Sequence, residues 1–304
     1  VLPMVFDASV EQDLWRRDFS INSIAIELTD INNPSILDPT GGLVDISNKV
    51  VRILHTRSFL DDPTRILRAI RYEQRLKFKI ETNTRSLLLK AIKTKALSTI
   101  SGDRVRNEIA LMLDEPERAS MFLRASSLGI LSSMHSSLFH RNWSKYLKKG
   151  GEDKLAYLST LAYKLSSEET ASLISLINAP KPWAGVLRDM SYLSQKETLL
   201  NKPSLPPIDV YLLLKNVSIH SLNAFKYLTD LKHTRKNICL YLDEYRDIHP
   251  SISNNTLKNL GASKGPDIKI ILQQILARRL EGTISTLSEE IQLAETYLKL
   301  QKRT

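Results

Sequence analysis

The chain has 304 residues, 42% of them hydrophobic, and carries 43 Lys and Arg against 33 Asp and Glu, a formal net charge of +10. That is apolar material for two or three compact units, which excludes a disordered tail. A single cysteine, Cys239, excludes an intramolecular disulfide framework, no Cys/His cluster has zinc spacing, and no apolar run approaches the roughly 20 residues that cross a bilayer.

The expectation is a cytoplasmic protein with no membrane partner, whose charge favours polyanions. The excess is uneven: residues 1–125 hold 19 basic and 17 acidic residues, leaving 24 and 16 for the remainder. The opening VLPMVFDASVEQD lacks the basic start of a signal peptide. Because the chain begins with Val1 inside extended-looking sequence, it is expected to continue a longer polypeptide.

In chain order, β-branched runs at 20–28 and 50–54 predict strands, with a turn-like LDPTGG between them. From Asp61 onward the apolar spacing becomes helical and stays so, broken only near 147–153, 178–183, 201–207, 249–255 and 261–267. No fixed-period repeat interrupts it, so the fold class is mainly α: an incomplete α/β head with few strands, followed by packed helices.

Four segments can carry chemistry. In Trp15-Arg16-Arg17-Asp18-Phe19-Ser20-Ile21-Asn22, adjacent arginines before a strand can hold phosphate oxygens, with Asp18 and Asn22 free for a ribose hydroxyl. A solvated charge cluster is the plainer role. In Asp38-Pro39-Thr40-Gly41-Gly42-Leu43-Val44-Asp45, paired glycines permit a hinge or a tight turn.

Asp61-Asp62-Pro63-Thr64-Arg65-Ile66-Leu67-Arg68 opens a helix with an N-cap at Asp62 and a proline at the first helical position. At 100° per residue, Arg65, Arg68, Arg71 and Arg75 fall within about 120° of arc, a cationic face suited to a triphosphate or an RNA backbone, or simply solvated. An Asp and an Arg one turn apart can also present acceptor and donors together along a base edge. In Gly102-Asp103-Arg104-Val105-Arg106-Asn107-Glu108, Arg104 and Glu108 have the spacing of an intrahelical ion pair.

In this order the four segments resemble the motifs of the class II tRNA nucleotidyltransferase and bacterial poly(A) polymerase family. The end of the chain, Leu260-Gly261-Ala262-Ser263-Lys264-Gly265-Pro266-Asp267-Ile268 and the following helix to Gly282, is similar to the end of bacterial CCA-adding enzymes. No family motif is recognised between about 130 and 250. The resemblance implies a partial nucleotidyltransferase head at 1–58, a helical neck at 59–128, a helical body at 129–205 and an RNA-binding helical tail at 206–304.

It also implies roles. Arg16, Arg17, Asp18 and Asn22 would contact ribose and phosphates. Gly41, Gly42 and Asp45 would form the hinge between head and neck. Asp62 and Arg65 would be a protein template that selects ATP or CTP, with Asp61 beside it and Arg68 near the phosphates, while Arg104 and Glu108 would pair to stabilise the neck. Asp61 departs from the family's usual Glu at that position.

The expected partner is a tRNA or other RNA 3′ end. The family's Mg2+ would sit on an Asp-x-Asp pair upstream of the RRD strand, and no catalytic or metal-binding residue is assigned here. This chain alone is therefore expected to hold substrates without joining them. A poly(A) polymerase, an enzyme adding only CC or only A, and a non-catalytic RNA-binding relative remain the alternatives.

Overall fold

The computed structural model describes residues 7–30, 32–138, 153–262 and 266–301. The expected break near 147–153 falls almost wholly outside them, as do residues 263–265 of the break at 261–267. The chain forms two compact units, Val1–Ser191 and Tyr192–Thr304. As expected, it is mainly helical, with two small two-stranded sheets.

In the first unit, α1 (Val10–Trp15) starts at a capping box in which Ser9 and Gln12 satisfy each other's backbone N–H groups. The predicted strand at 20–28 is mostly not one. Residues Ser20–Asn22 form a 3-10 turn, closed by Asn22 N–H to Phe19 O and Ser23 N–H to Ser20 O, because Asp18 and Asn22 bond each other across the turn at 2.9 Å.

Only β1 (Ala25–Glu27) remains extended, antiparallel to β2 (Ser35–Leu37). The second run keeps β3 (Val50–Val51), which pairs in parallel with β4 (Lys79–Ile80). Between the sheets lies α2 (Gly42–Ser47), so the LDPTGG segment is a helix entry, with Asp38 accepting from the N–H groups of Gly42 (2.7 Å) and Leu43 (2.9 Å).

The helical part runs through α3 (Ser58–Asp61), α4 (Thr64–Leu76), α5 (Thr82–Lys93), α6 (Gly102–Asp114), α7 (Arg118–Ser127), α8 (Ile130–Met134), α9 (Lys154–Thr160), α10 (Ser167–Leu176) and α11 (Lys181–Leu200). The division between the units falls within α11. The apolar face of α4, carrying Ile66, Leu67 and Ile70, is fully buried with Phe19, Phe59, Met112, Met121 and Phe122. Each such side chain contributes roughly 1.5–3 kcal/mol by leaving water, so α4 is the axis on which α6 and α7 pack.

The second unit contains α12 (Pro207–Leu214), α13 (Ile219–Leu228), α14 (Lys232–Leu240), α15 (Asn254–Asn259), α16 (Pro266–Leu280) and α17 (Leu287–Gln301). Helix α14 continues into a π-helical turn at Tyr241–Tyr245. Its C-terminal core joins Ile252, Leu257, Ile271, Ile275, Ala294 and Leu298. Fully buried Glu290 anchors that core: it accepts from the N–H groups of Ser251 (2.9 Å) and Ile252 (2.7 Å) and pairs with Arg279. One residue earlier, Glu289 caps α17, and the N–H groups of Ser285 and Thr286 with the Thr286 hydroxyl hold its carboxyl down to about 2.

Candidate functional site

The turn into α4 is closed by its own side chains. Asp62 Oδ1 accepts from the Thr64 N–H (3.1 Å) and the Thr64 hydroxyl (2.7 Å), and Pro63 has no donor to leave unpaired. A third donor, Arg104 Nη2 of α6, reaches the same oxygen at 2.8 Å. Asp62 Oδ2 receives no hydrogen bond among the described residues.

One turn later, Arg65 is aimed by two neutral acceptors, Ser58 Oγ from Nη1 at 2.6 Å and the Arg16 carbonyl from Nη2 at 3.0 Å. A guanidinium has five N–H donors, so three are left over.

Asp62 and Arg65 open onto a cleft of ≈ 660 Å³ that Asp13, Arg16, Arg17, Asp18, Asn22, Thr64, Arg68, Tyr72, Arg104, Asn107 and Glu108 also line. Its charges are largely matched within the protein. Asp18, 8% exposed, accepts from Arg68 Nε (2.8 Å), from Asn22 (2.9 Å) and from its neighbour's N–H (3.0 Å). Burial alone would push Arg68 down, but the charge and hydrogen bonds of Asp18 outweigh it and keep the guanidinium protonated.

Asp13 takes Arg17 at 2.9 Å and also pairs with Arg16, and these bonds hold its carboxyl below the usual range. Of the five arginines lining the cleft, Arg65 alone has no carboxylate partner among the described residues.

The arginine face of α4 is not solvated along its length. Arg71 is buried against Glu108 (3.6 Å) and Glu115 (3.8 Å), and Arg75 reaches Glu115 at 3.5 Å. The expected intrahelical pair of Arg104 with Glu108 is corrected accordingly: α6 packs on α4, so Arg104 turns to Asp62 while Glu108 faces Arg68 and Arg71.

Burial pushes the Glu108 carboxyl up, against the opposing pull of Arg71 and then Arg68, whose nitrogens stay beyond hydrogen-bond distance at 3.6 Å. A carboxyl raised in the folded state holds its proton where the unfolded chain has lost it. The stability this supplies is full below the ordinary glutamate value of 4.5 and is lost as pH rises through the folded value. Glu108→Gln is expected to remove that decline, seen as a flatter plot of the urea midpoint against pH above 4.5.

Known proteins resemble the chain in sequence and in fold. Residues 3–52 match the Poly A polymerase head domain. The A-adding tRNA nucleotidyltransferase of Geobacter sulfurreducens is 31% identical across 96% of this chain and 36% of its own length. A CCA-adding enzyme solved with ATP superposes with a TM-score of 0.78 at 26% identity, over 93% of this chain and 70% of that one. The Thermotoga maritima CCA-adding enzyme solved with tRNA gives 0.76 at 26% identity, over 95% and 74%.

In sequence and in fold the chain is similar to the class II tRNA nucleotidyltransferase and poly(A) polymerase family. It spans about a third of the length of the Geobacter relative.

In this chain the cleft gathers Arg16, Arg17, Asp18, Asn22, Asp62, Arg65, Arg68, Arg104 and Glu108. Asp61 is not among the lining residues, because its carboxylate turns to Arg57 (3.3 Å) and His55 (3.9 Å). Gly41, Gly42 and Asp45 also lie outside the lining. There Asp45 accepts from Ser20 Oγ (2.5 Å) and Arg52 Nε (3.0 Å), and α2 is pressed onto the turn at Ser20–Asn22.

Sequence reading missed Asp13, Ser58, Thr64, Tyr72 and Asn107. Tyr72 carried a signal at Arg68 plus four, and its ring receives Arg68 and Arg71 at 5.9 and 5.3 Å. Asp13 carried another, three and four residues before its arginines.

The carboxylates present do not fit a Mg2+ site. Asp13, Asp18 and Asp62 are each engaged by a guanidinium, and no group of three His, Cys, Asp or Glu converges among the described residues. No step is assigned to a metal on these residues. Among the described residues, no helix is long and apolar enough to cross a membrane.

Proposed function

We propose that this chain is the nucleotide-selecting and RNA-holding part of a tRNA nucleotidyltransferase that adds C, A or both to a tRNA 3′ end. The observation that carries the reading is the pairing, one turn apart at the mouth of α4, of an unoccupied acceptor on Asp62 with unoccupied donors on Arg65. Adenine and cytosine each carry an exocyclic amino group beside an unprotonated ring nitrogen. Asp62 Oδ2 accepts from the amino group, and Arg65 donates to the ring nitrogen. Guanine and uracil present a carbonyl where the amino group would be, which sets oxygen against carboxylate, so the same two side chains reject them.

Arg16 and Arg17 take the phosphates, exchanging Asp13 for them. Asn22 meets the ribose beside Asp18, whose main task is to orient Arg68 toward the phosphates. Arg104 positions Asp62, and Glu108 holds Arg68 and Arg71 in register from below. Gly41, Gly42 and Asp45 form the joint through which the head segment is oriented on the neck. The +8 excess beyond residue 125 supports an RNA partner for the helical remainder, and relatives solved with ATP and with tRNA support those two ligand classes.

The test is equilibrium binding of the four nucleoside triphosphates. The wild-type chain is expected to prefer ATP or CTP, or both, over GTP and UTP. Arg65→Ala should weaken that binding by roughly 10- to 100-fold, the worth of a charge-assisted donor pair. Equal affinity for all four nucleotides, or an unchanged affinity in Arg65→Ala, would refute the template assignment.

A further inference from the structure

Trp15 ends α1 with 45% of its surface exposed, and among the described residues its indole makes no hydrogen bond or ring contact. An aromatic of this size is ordinarily covered, and where it is not, its open face is available to another flat apolar surface. Trp15 lines a second hollow, of ≈ 570 Å³, together with Ser9, Glu11, Gln12 and Arg16. Arg16 also lines the nucleotide cleft, so the two meet at one residue. The side chains of Arg16 and Arg17 are 78% and 51% exposed, each balanced among the described residues only by Asp13.

Charge decides what kind of surface lies over the indole. Glu11 puts a carboxylate in the hollow, which disfavours a phosphate there, whereas the neutral face of a nucleobase meets no opposing charge. The phosphates flanking such a base have Arg16 and Arg17 next in sequence. We infer that Trp15 is the stacking platform for an unpaired base of a single-stranded RNA end, positioned by those two arginines beside the bound nucleotide. This rests on the nucleotidyltransferase reading, which requires an RNA end near the nucleotide cleft.

The experiment uses the full chain and a six-nucleotide ribo-oligomer ending in CC with a free 3′-hydroxyl. A second oligomer lacks its terminal base, and a third is a blunt duplex. The first oligomer is expected to quench tryptophan emission, and Trp15→Phe to abolish the quenching while Trp143 and Trp183 still emit. Trp15→Ala should weaken binding roughly 5- to 100-fold, the range of one base–aromatic stack, and Trp15→Phe by only a few fold. The oligomer without its terminal base should bind wild type as weakly as the intact one binds Trp15→Ala, and the duplex should not quench.

Binding of ATP and CTP, measured separately, should be unchanged in both variants. If Trp15→Ala holds the intact oligomer as tightly as wild type while nucleotide binding is normal, the platform is wrong and the nucleotide reading stands. If wild type binds neither ATP nor CTP, the nucleotide reading fails, and quenching that still depends on Trp15 would support the stack by itself. No binding of the single-stranded oligomer by wild type would overturn the inference.

Discussion

Gly42→Ala is expected to destabilise the first unit by about 3 kcal/mol, near the upper end of what overpacking costs. A Cβ on Gly42 would lie 2.2 Å from the Ser20 carbonyl oxygen, 2.9 Å from its carbonyl carbon and 2.9 Å from Ile24 Cγ1. Ser20 has little freedom to retreat. Its N–H bonds the Arg52 carbonyl at 2.9 Å, its own carbonyl accepts from Ser23 at 3.0 Å, and its hydroxyl donates to buried Asp45.

Gly41 is the internal control. Nothing lies within 4 Å of a Cβ there, and the only penalty is its φ of +76°, worth about 1 kcal/mol for alanine. Urea denaturation should therefore rank Gly42→Ala well below Gly41→Ala in midpoint. The reverse order would mean that backbone conformation, not close approach, is why glycines stand at both positions.

Arg68→Ala should cost a similar amount for a different reason. It leaves Asp18 buried with no cation and Glu108 facing Arg71 alone, and removing one partner from a buried pair typically costs 3–5 kcal/mol. Lysine should restore only part of it, because a point charge cannot supply both Nε–H and Nη2–H to Asp18 Oδ2. Adding Asp18→Asn to Arg68→Ala should recover stability, since the stranded charge is gone. A double mutant no more stable than Arg68→Ala alone would show that Asp18 is not the group left unpaired.

Both substitutions probe features of different visibility in the sequence. The start of α4 was legible to within a residue, because Asp-Pro is a local signal: the proline removes a donor that a helix start does not need, and the aspartate accepts from the next turn. The convergence of Arg16, Arg17, Asp62, Arg65 and Arg68 followed from motif order. The partners of Arg104 and Glu108 did not, because spacing of four predicts a pair on one helix only when no second helix offers a better one, and α4 supplies Asp62, Arg68 and Arg71.

The strand expected at 20–28 failed similarly: β-branched content favoured extension, but the side-chain bond from Asn22 to Asp18 and the bridge of Phe19 to Ile53 impose a turn first. The close contact at Gly42 had no local signature at all, since Ser20 is 22 residues away.

The cleft carries its own counterions. When an arginine-lined groove takes up phosphates from solution, the usual gain comes from small ions set free into the bulk, and affinity falls steeply as salt is added. Asp13 cannot be set free in that way. It is covalently tied three and four residues from Arg16 and Arg17, so a phosphate displaces it without liberating it. The entropy returned per phosphate is correspondingly smaller, and the groove behaves as an exchanger with fixed acid groups. For the proposed nucleotide binding, the affinity is therefore expected to depend on ionic strength less than a count of the arginines would suggest.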